Sequence, residues 1–193
     1  MPGRAGPRHG DRMNIEQTLT VRPAGVRDVA TLTDLGARTF LETYADQIPF
    51  GPLSEVIAET FNIERQHAEV ADPDCMVLIA EAGDHAAGYL VAHPTTPPNG
   101  PAAATMSISR LYVDAPIHGR GVGSALLDSA LALARRDGHE YLWLTVWEHN
   151  LRARDAYAAW GFEDLGPIPF QFAGLQQTDR LMVRSTLRRS AAA

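Results

Sequence analysis

Residues 107–162 read S-I-S-R-L-Y-V-D-A-P-I-H-G-R-G-V-G-S-A-L-L-D-S-A-L-A-L-A-R-R-D-G-H-E-Y-L-W-L-T-V-W-E-H-N-L-R-A-R-D-A-Y-A-A-W-G-F. They parse as strand, glycine turn, helix, strand, helix. Ile108, Leu111 and Val113 sit among β-favouring neighbours. Asp114-Ala115-Pro116 ends that run, because proline donates nothing to a ladder and pushes its predecessor out of the helical region. The turn His118-Gly119-Arg120-Gly121-Val122-Gly123 then opens into Ser124 and a run in which Val122, Leu126, Leu127, Ala130, Leu131 and Ala134 recur at helical spacing. Arg135 and Arg136 suit the negative end of a helix dipole, and Gly138 suits a C-terminal cap.

A strand that passes through glycines into a helix N-terminus exposes unpaired backbone N–H groups, and glycine lets a ligand's oxygens approach without a Cβ in the way. Phosphate or pyrophosphate is the expected guest. Taken alone, the alternating glycines are equally consistent with a tight turn and nothing more. Two other phosphate motifs are excluded: no lysine follows as a P-loop requires, and the dinucleotide fingerprint G-x-G-x-x-G fails at Ser124.

Residues 141–147, Y-L-W-L-T-V-W, are aromatic, branched and uncharged, which predicts a strand buried on both faces. Asn150 is a good N-cap for a short helix closed by Gly161, with Ala153, Ala156, Tyr157 and Trp160 on one face. Tyr157 is the member of that face with a proton to donate.

These residues resemble the GNAT superfamily of acyl-CoA-dependent N-acetyltransferases. The resemblance spans residues 21–187 and rests on Arg110-Leu111-Tyr112-Val113, on the turn from His118 to Gly123, and on Asn150, Ala153, Tyr157, Gly161 and Phe162. It implies an α/β fold with a mostly antiparallel sheet of six to seven strands, about four flanking helices, and two central parallel strands splayed to admit acetyl-CoA. It further implies that Leu111, Tyr112 and Val113 border the pantetheine arm and that His118, Gly119, Arg120, Gly121, Val122, Gly123 and Ser124 surround the pyrophosphate. Asn150 and Ala153 would meet the pantetheine region, and Tyr157 would protonate the departing thiolate. The cosubstrate would be acetyl-CoA, with no metal.

The sequence departs from the superfamily pattern at two places. His118 stands where Gln or Arg is usual. Ser107 and Ser109 occupy the strand on which many members carry a glutamate that helps take the amine's proton. That leaves the base open among Glu42, Asp46, Glu81 and Glu148, with His93, His118 and His149 as other proton carriers. A free amine with a pKa of about 10.4 is mostly protonated at neutral pH, so some such group is needed.

Further out, Thr39-Phe40-Leu41-Glu42-Thr43-Tyr44, Trp147-Glu148 with Asn150, and the late Phe172, Gly174, Gln177, Asp179 and Met182 are similar to the bacterial polyamine-acetylating branch of the superfamily. The reading is acetyl transfer to a small primary amine or polyamine. The alternatives are a peptide or protein N-terminal acetyltransferase and a CoA-binding regulatory module without activity. The superfamily often forms homodimers through a sheet edge or the C-terminal strands.

The chain has 193 residues, 45% of them apolar, with a formal net charge of −6. That length suits one domain with a sizeable core. The charge argues against general nucleic-acid or anionic-membrane binding and favours attraction of a polycation, while Arg120, Arg152 and Arg154 are candidates for a local cluster facing phosphates. One cysteine, Cys75, rules out an internal disulfide and is read as a buried strand residue with no histidine beside it. No stretch long and apolar enough to span a membrane, and no signal peptide, is seen, so a cytoplasmic protein is expected.

The expected organisation is a disordered leader over residues 1–17 with Met1 or Met13 as the start, one acetyltransferase domain over 18–188, and a frayed tail over 189–193. Within the domain a strand at residues 18–22 precedes a helix from Arg27 through Phe40, with a loop or second helix over 41–48. One helix is expected over 53–70. Strands at 76–80 and 87–92 flank a hairpin turn, residues 94–101 form an exposed connection, and 165–172 and 180–187 close the sheet as an antiparallel pair.

Overall fold

The computed structural model describes residues 19–46, 48–172 and 174–187. The expected leader and tail lie outside the described residues. In chain order the elements are β1 (Leu19–Pro23), α1 (Val29–Tyr44), α2 (Phe50–Thr60), α3 (Ile63–Ala71), β2 (Met76–Ala82), β3 (His85–His93), β4 (Thr105–Val113), α4 (Val122–Arg136), β5 (Tyr141–Trp147), α5 (Leu151–Ala159), β6 (Glu163–Phe172) and β7 (Leu175–Ser185). The strands form one sheet in the order β1-β2-β3-β4-β5-β7-β6. Every neighbouring pair is antiparallel except β4 and β5.

The two faces of the sheet are covered by different helices, and period-2 alternation decides which residue goes where. Leu78, Leu90, Leu142 and Leu144 join Leu126, Leu127 and Ala130 of α4 in the largest core cluster, with Tyr157 and Trp160 packed at its edge. Val77, Ile79, Tyr89 and Val91 face the other way, against Leu32 and Leu35 of α1. Leu126 and Leu127 are 0% and 1% exposed, and each such side chain contributes roughly 1.5–3 kcal/mol of apolar burial. Gly36 of α1 has no room to be larger: a Cβ there would lie 2.5 Å from both a Phe61 ring carbon and the Tyr89 hydroxyl.

The helix expected over 53–70 is two helices. Asn62 breaks it, because its side chain serves both ends: its amide donates to the carbonyls of Ala58 and Glu59, and its oxygen accepts from the Arg65 N–H at 2.8 Å. Phe61 meanwhile turns into a cluster with Phe40, Ile48 and Leu53. The open choice at 41–48 resolves as a continuation of α1 to Tyr44. Strand β5 is buried on one face only, with Leu142, Leu144 and Val146 in the core and Tyr141, Trp143, Thr145 and Trp147 half-buried. The aromatics that suggested two buried faces line the second one, where the Trp143 indole donates to the Thr95 carbonyl at 2.8 Å. Strand β7 begins at Leu175 rather than 180, since pairing with β5 on one edge and β6 on the other recruits its polar start. Cys75 lies just ahead of β2, half-buried, and His93 does stand beside it with Nε2 4.0 Å from Sγ. Burial pushes the thiol up to about 12, which leaves it un-ionised at neutral pH.

Two irregularities prepare the functional region. The β3–β4 register shifts between Val91 and Ala92, which pair with Arg110 and Ile108, so Ser109 is a bulge. The bulge keeps Leu111 and Val113 on the α4 face with Met106 and Ile108, while Arg110 and Tyr112 turn to the α1 side. The parallel β4–β5 ladder is also short: it joins Thr105, Met106 and Ser107 to Tyr141, Leu142 and Trp143 and then stops. Beyond that point the two strands part.

Candidate active site

The parting strands open a cleft of about 1040 Å³. Leu111, Tyr112 and Val113 form one wall, Asn150, Ala153 and Tyr157 the other, and His118, Gly119, Gly121, Val122, Gly123 and Ser124 close the end at the start of α4. Glu42 borders it from α1. Arg120 and Glu148 are not among its lining residues. Arg120 is exposed on the turn, and the Glu148 carboxylate sits 3.8 Å from His149 Nε2.

The glycine turn has the geometry of an anion cradle. Gly119 and Gly121 have φ of +76° and +82°, and a Cβ built on either would meet no atom within 4 Å. Gly121 is the N-cap of α4 and has no side chain to satisfy the first-turn amides, so those N–H groups point into open space at the positive end of the dipole. Gly123 has a different reason to be glycine, since a Cβ there would lie 3.0 Å from the Trp160 ring. That ring also donates from Nε1 to the Ser124 hydroxyl at 2.9 Å, fixing α5 against α4.

His118 occupies the position of its departure from the family pattern with a defined set of partners. Its Nε2 lies 2.8 Å from the Val113 carbonyl and its Nδ1 lies 3.1 Å from an Arg152 guanidinium nitrogen. Both contacts are satisfied by the neutral ring with its proton on Nε2. Arg152 therefore stands at the cleft, and Arg154 does not: it donates to the Glu148 carbonyl at 2.7 Å and faces Asp164 at 3.6 Å. Asn150 caps α5 by accepting from the Ala153 N–H at 3.1 Å.

Tyr157 is held by edge-on contacts with Trp160 and Phe162 at 5.7 and 5.6 Å. Its hydroxyl is pushed well above the usual phenol range by burial, then by Tyr44, and remains protonated at neutral pH. Tyr157 also lines a second cavity of about 350 Å³, which shares Leu111, Tyr112, Asn150 and Ala153 with the first. Of the other proton carriers His149 lines the first cavity, and the remaining carboxylate candidates lie elsewhere. Glu81 is paired with Arg22 at 2.6 Å near the β1 edge, and neither Asp46 nor Glu148 lines the second cavity. Asp179 of β7 does, a residue whose sequence context marks it only as part of a longer pattern. The available signal was Gln177-Thr178-Asp179, a polar residue and a carboxylate two apart on one strand face.

Comparison with known proteins places this geometry. The profile of the acetyltransferase (GNAT) family matches residues 38–162. The chain belongs to this family. An uncharacterised N-acetyltransferase in the pepI 3′ region of Lactobacillus delbrueckii subsp. lactis is 26% identical over 165 residues, covering 82% of this chain and 92% of the relative. Among solved structures, the PaiA N-acetyltransferase of Thermoplasma acidophilum in complex with coenzyme A superposes with a TM-score of 0.72 at 19% identity, covering 87% of this chain and 99% of that one. A ribosomal-protein-alanine N-acetyltransferase from Brucella melitensis gives 0.68 at 22% identity over 86% and 99%.

The chain is thus an enzyme of the acetyltransferase family, and the cosubstrate expected from its sequence is acetyl-CoA. Its residues fit that cosubstrate: an open glycine turn at a helix N-terminus suits a diphosphate, and a cleft between two splayed strands suits the arm that follows it. Among the described residues no cluster of His, Cys, Asp or Glu is arranged to hold a metal ion, and no helix is long and apolar enough to cross a membrane.

Proposed function

We propose that this acetyltransferase moves an acetyl group directly from acetyl-CoA to a primary amine on a small molecule, with polyamines as the leading acceptors. One observation carries the reading: two cavities adjoin along a shared border that includes Tyr44, Leu111, Tyr112, Asn150, Ala153 and Tyr157. Direct transfer needs two substrates held with their reacting atoms in contact, and adjoining cavities with a proton donor on their border supply that arrangement.

In this reading the turn from Gly119 to Ser124 holds the pyrophosphate through backbone amides, with Arg120 and Arg152 adding positive charge. Leu111 and Val113 offer backbone groups to the pantetheine arm, and Asn150 and Ala153 line its other side. His118 already bonds the Val113 carbonyl, so the arm meets that carbonyl with one lone pair engaged. Tyr157 gives its proton to the leaving sulfur. The domain extends over residues 18–188, and its net charge of −6 favours a cationic acceptor.

The second reading is a CoA-binding module without transfer activity. It is favoured by Ser107 and Ser109 on β4, where no carboxylate stands and both hydroxyls face carbonyls of β3 at 3.5 and 3.3 Å. The test is CoA release from acetyl-CoA, followed by thiol colour, with spermidine, spermine, simple amino acids, aminoglycosides and short peptides. Turnover led by spermidine supports the proposal. Turnover led by peptides supports a peptide or N-terminal acetylase, and binding without turnover supports the module.

A further inference from the structure

We propose that Asp179 receives the acceptor's ammonium group and takes its proton before attack, in a pocket built for a primary amine on an apolar stem. This deepens the transferase reading and rests on it.

Asp179 is 3% exposed, and among the described residues no cation pairs with it. The Gln177 amide donates to it at 3.0 Å and the Thr145 hydroxyl also bonds it. A carboxylate stripped of water and given only neutral donors is costly, and such groups are normally paired. Glu148 lies close enough to add repulsion. Together burial and that charge push Asp179 above the usual carboxylate range, the direction a base needs.

The surroundings point to a cation as the missing partner. Asp179 opens into the 350 Å³ cavity, where Arg110 of β4 is the other charged side chain. Arg110 is partly engaged elsewhere: its guanidinium pairs with the buried Glu69 of α3 and lies 6.0 Å from the Phe61 ring centre, while its Nη1 is buried without a hydrogen-bond partner among the described residues. Tyr44 of α1, Tyr112 of β4 and Tyr157 of α5 present phenols whose pKa values are raised by burial, so they are neutral. With Phe40, Phe61, Trp147 and Phe170 they give the cavity aromatic walls, which suit an alkyl stem and attract an ammonium through ring faces.

The chemistry balances without another reactant. The Asp179 carboxylate takes one proton from R–NH3⁺, leaving R–NH2 and a neutral acid. The nitrogen lone pair forms the C–N bond and the C–S bond breaks with its electrons on sulfur, which takes the Tyr157 proton. The second proton on nitrogen returns to the Tyr157 phenolate, and Asp179 later releases its own to solvent.

The experiment compares wild type with Asp179→Asn on n-butylamine, protonated at pH 7, and on trifluoroethylamine, which is already neutral there. The variant is expected to lose about 10²- to 10³-fold in kcat/KM on n-butylamine and under about tenfold on trifluoroethylamine. Its melting temperature is expected to hold or rise, because an unpaired buried charge is removed. Thr145→Val, which removes a hydrogen bond from the charged form, is expected to shift the acidic limb of the wild-type pH profile upward. Equal losses on both amines, or a fall in melting temperature that accounts for the loss, overturn the proposal in favour of a structural role; unchanged kcat/KM also overturns it. Calorimetry of n-butylamine on the CoA-saturated protein separates the two levels of inference. Binding lost in Asp179→Asn with no turnover by wild type on any amine overturns the transferase reading and the proton transfer, while upholding Asp179 as the ammonium site.

Discussion

Tyr157→Phe removes one oxygen and its proton from the border that the two cavities share. The ring keeps its edge-on contacts with Trp160 at 5.7 Å and Phe162 at 5.6 Å. The hydroxyl has no hydrogen-bond partner among the described residues, so the change in stability is expected to stay under about 1 kcal/mol. The effect on turnover is larger. Loss of a positioned general acid lowers kcat by about 10²-fold, or about 2.7 kcal/mol of barrier. The Kd for acetyl-CoA should hold within about twofold, because the proton is needed only as the sulfur leaves. The wild-type hydroxyl, raised above the usual phenol range by burial, stays protonated through neutral pH, so activity dependent on it declines only in alkaline solution. Steady-state kinetics of CoA release, with calorimetry of acetyl-CoA and a melting curve for each protein, measure all three. A variant with wild-type kcat removes Tyr157 from the mechanism, and one that melts many degrees lower makes it a packing residue.

The glycine turn and the remote sheet edge give further expectations. Gly121→Val places a branched side chain at a φ of +82° and in the space above the first-turn amides, so calorimetry should find acetyl-CoA binding abolished; unchanged affinity contradicts the cradle. Gly123→Val acts differently, because its first carbon already meets the Trp160 ring at 3.0 Å: the melting temperature should fall as α5 is displaced, and an unaltered melting curve shows that the contact relaxes freely. Asp28 is bonded by Arg22 at 2.7 and 2.8 Å and by the Gly25 N–H at 2.7 Å, which hold its carboxyl down at about 2. A lowered carboxylate pKa contributes stability that is present above the unfolded value of about 3.9 and is lost as pH falls toward 2. Asp28→Asn should therefore cost about 2 kcal/mol in urea unfolding at pH 7 and little at pH 2, and an equal cost at both values refutes the ion-pair account.

The central βαβα segment was legible because its signals are local. Proline 116, the glycines of the turn, the apolar stripe of α4 and the Asn150 cap act over a few residues each, and the structure places the strands and helices where those signals put them. Most of the turn residues expected to hold the cofactor come together at one end of the cleft, since backbone amides at a helix start need only sequence neighbours. Signals that act at a distance were harder to read. Asn62 looks like one polar residue in an amphipathic run, and its double capping role becomes visible only when Phe61 has turned into the cluster with Phe40. The second cavity draws on α1, α2, β4, β5, α5, β6 and β7, so no spacing reveals it. Asp179 joins Tyr157 there through a sheet order that puts β7 beside β5, whereas Glu81, equally plausible as a carboxylate, is carried to the far edge and paired with Arg22.

Direct transfer is tested most plainly by a bisubstrate ligand in which the CoA sulfur is joined through an acetyl-length linker to the terminal nitrogen of spermidine. If the two cavities hold cosubstrate and amine at once with Tyr157 between them, calorimetry should find this ligand bound at least about 10²-fold more tightly than CoA alone. The gain should shrink in Asp179→Asn. Affinity equal to that of CoA, in wild type and variant alike, would mean that the second cavity does not receive the acceptor.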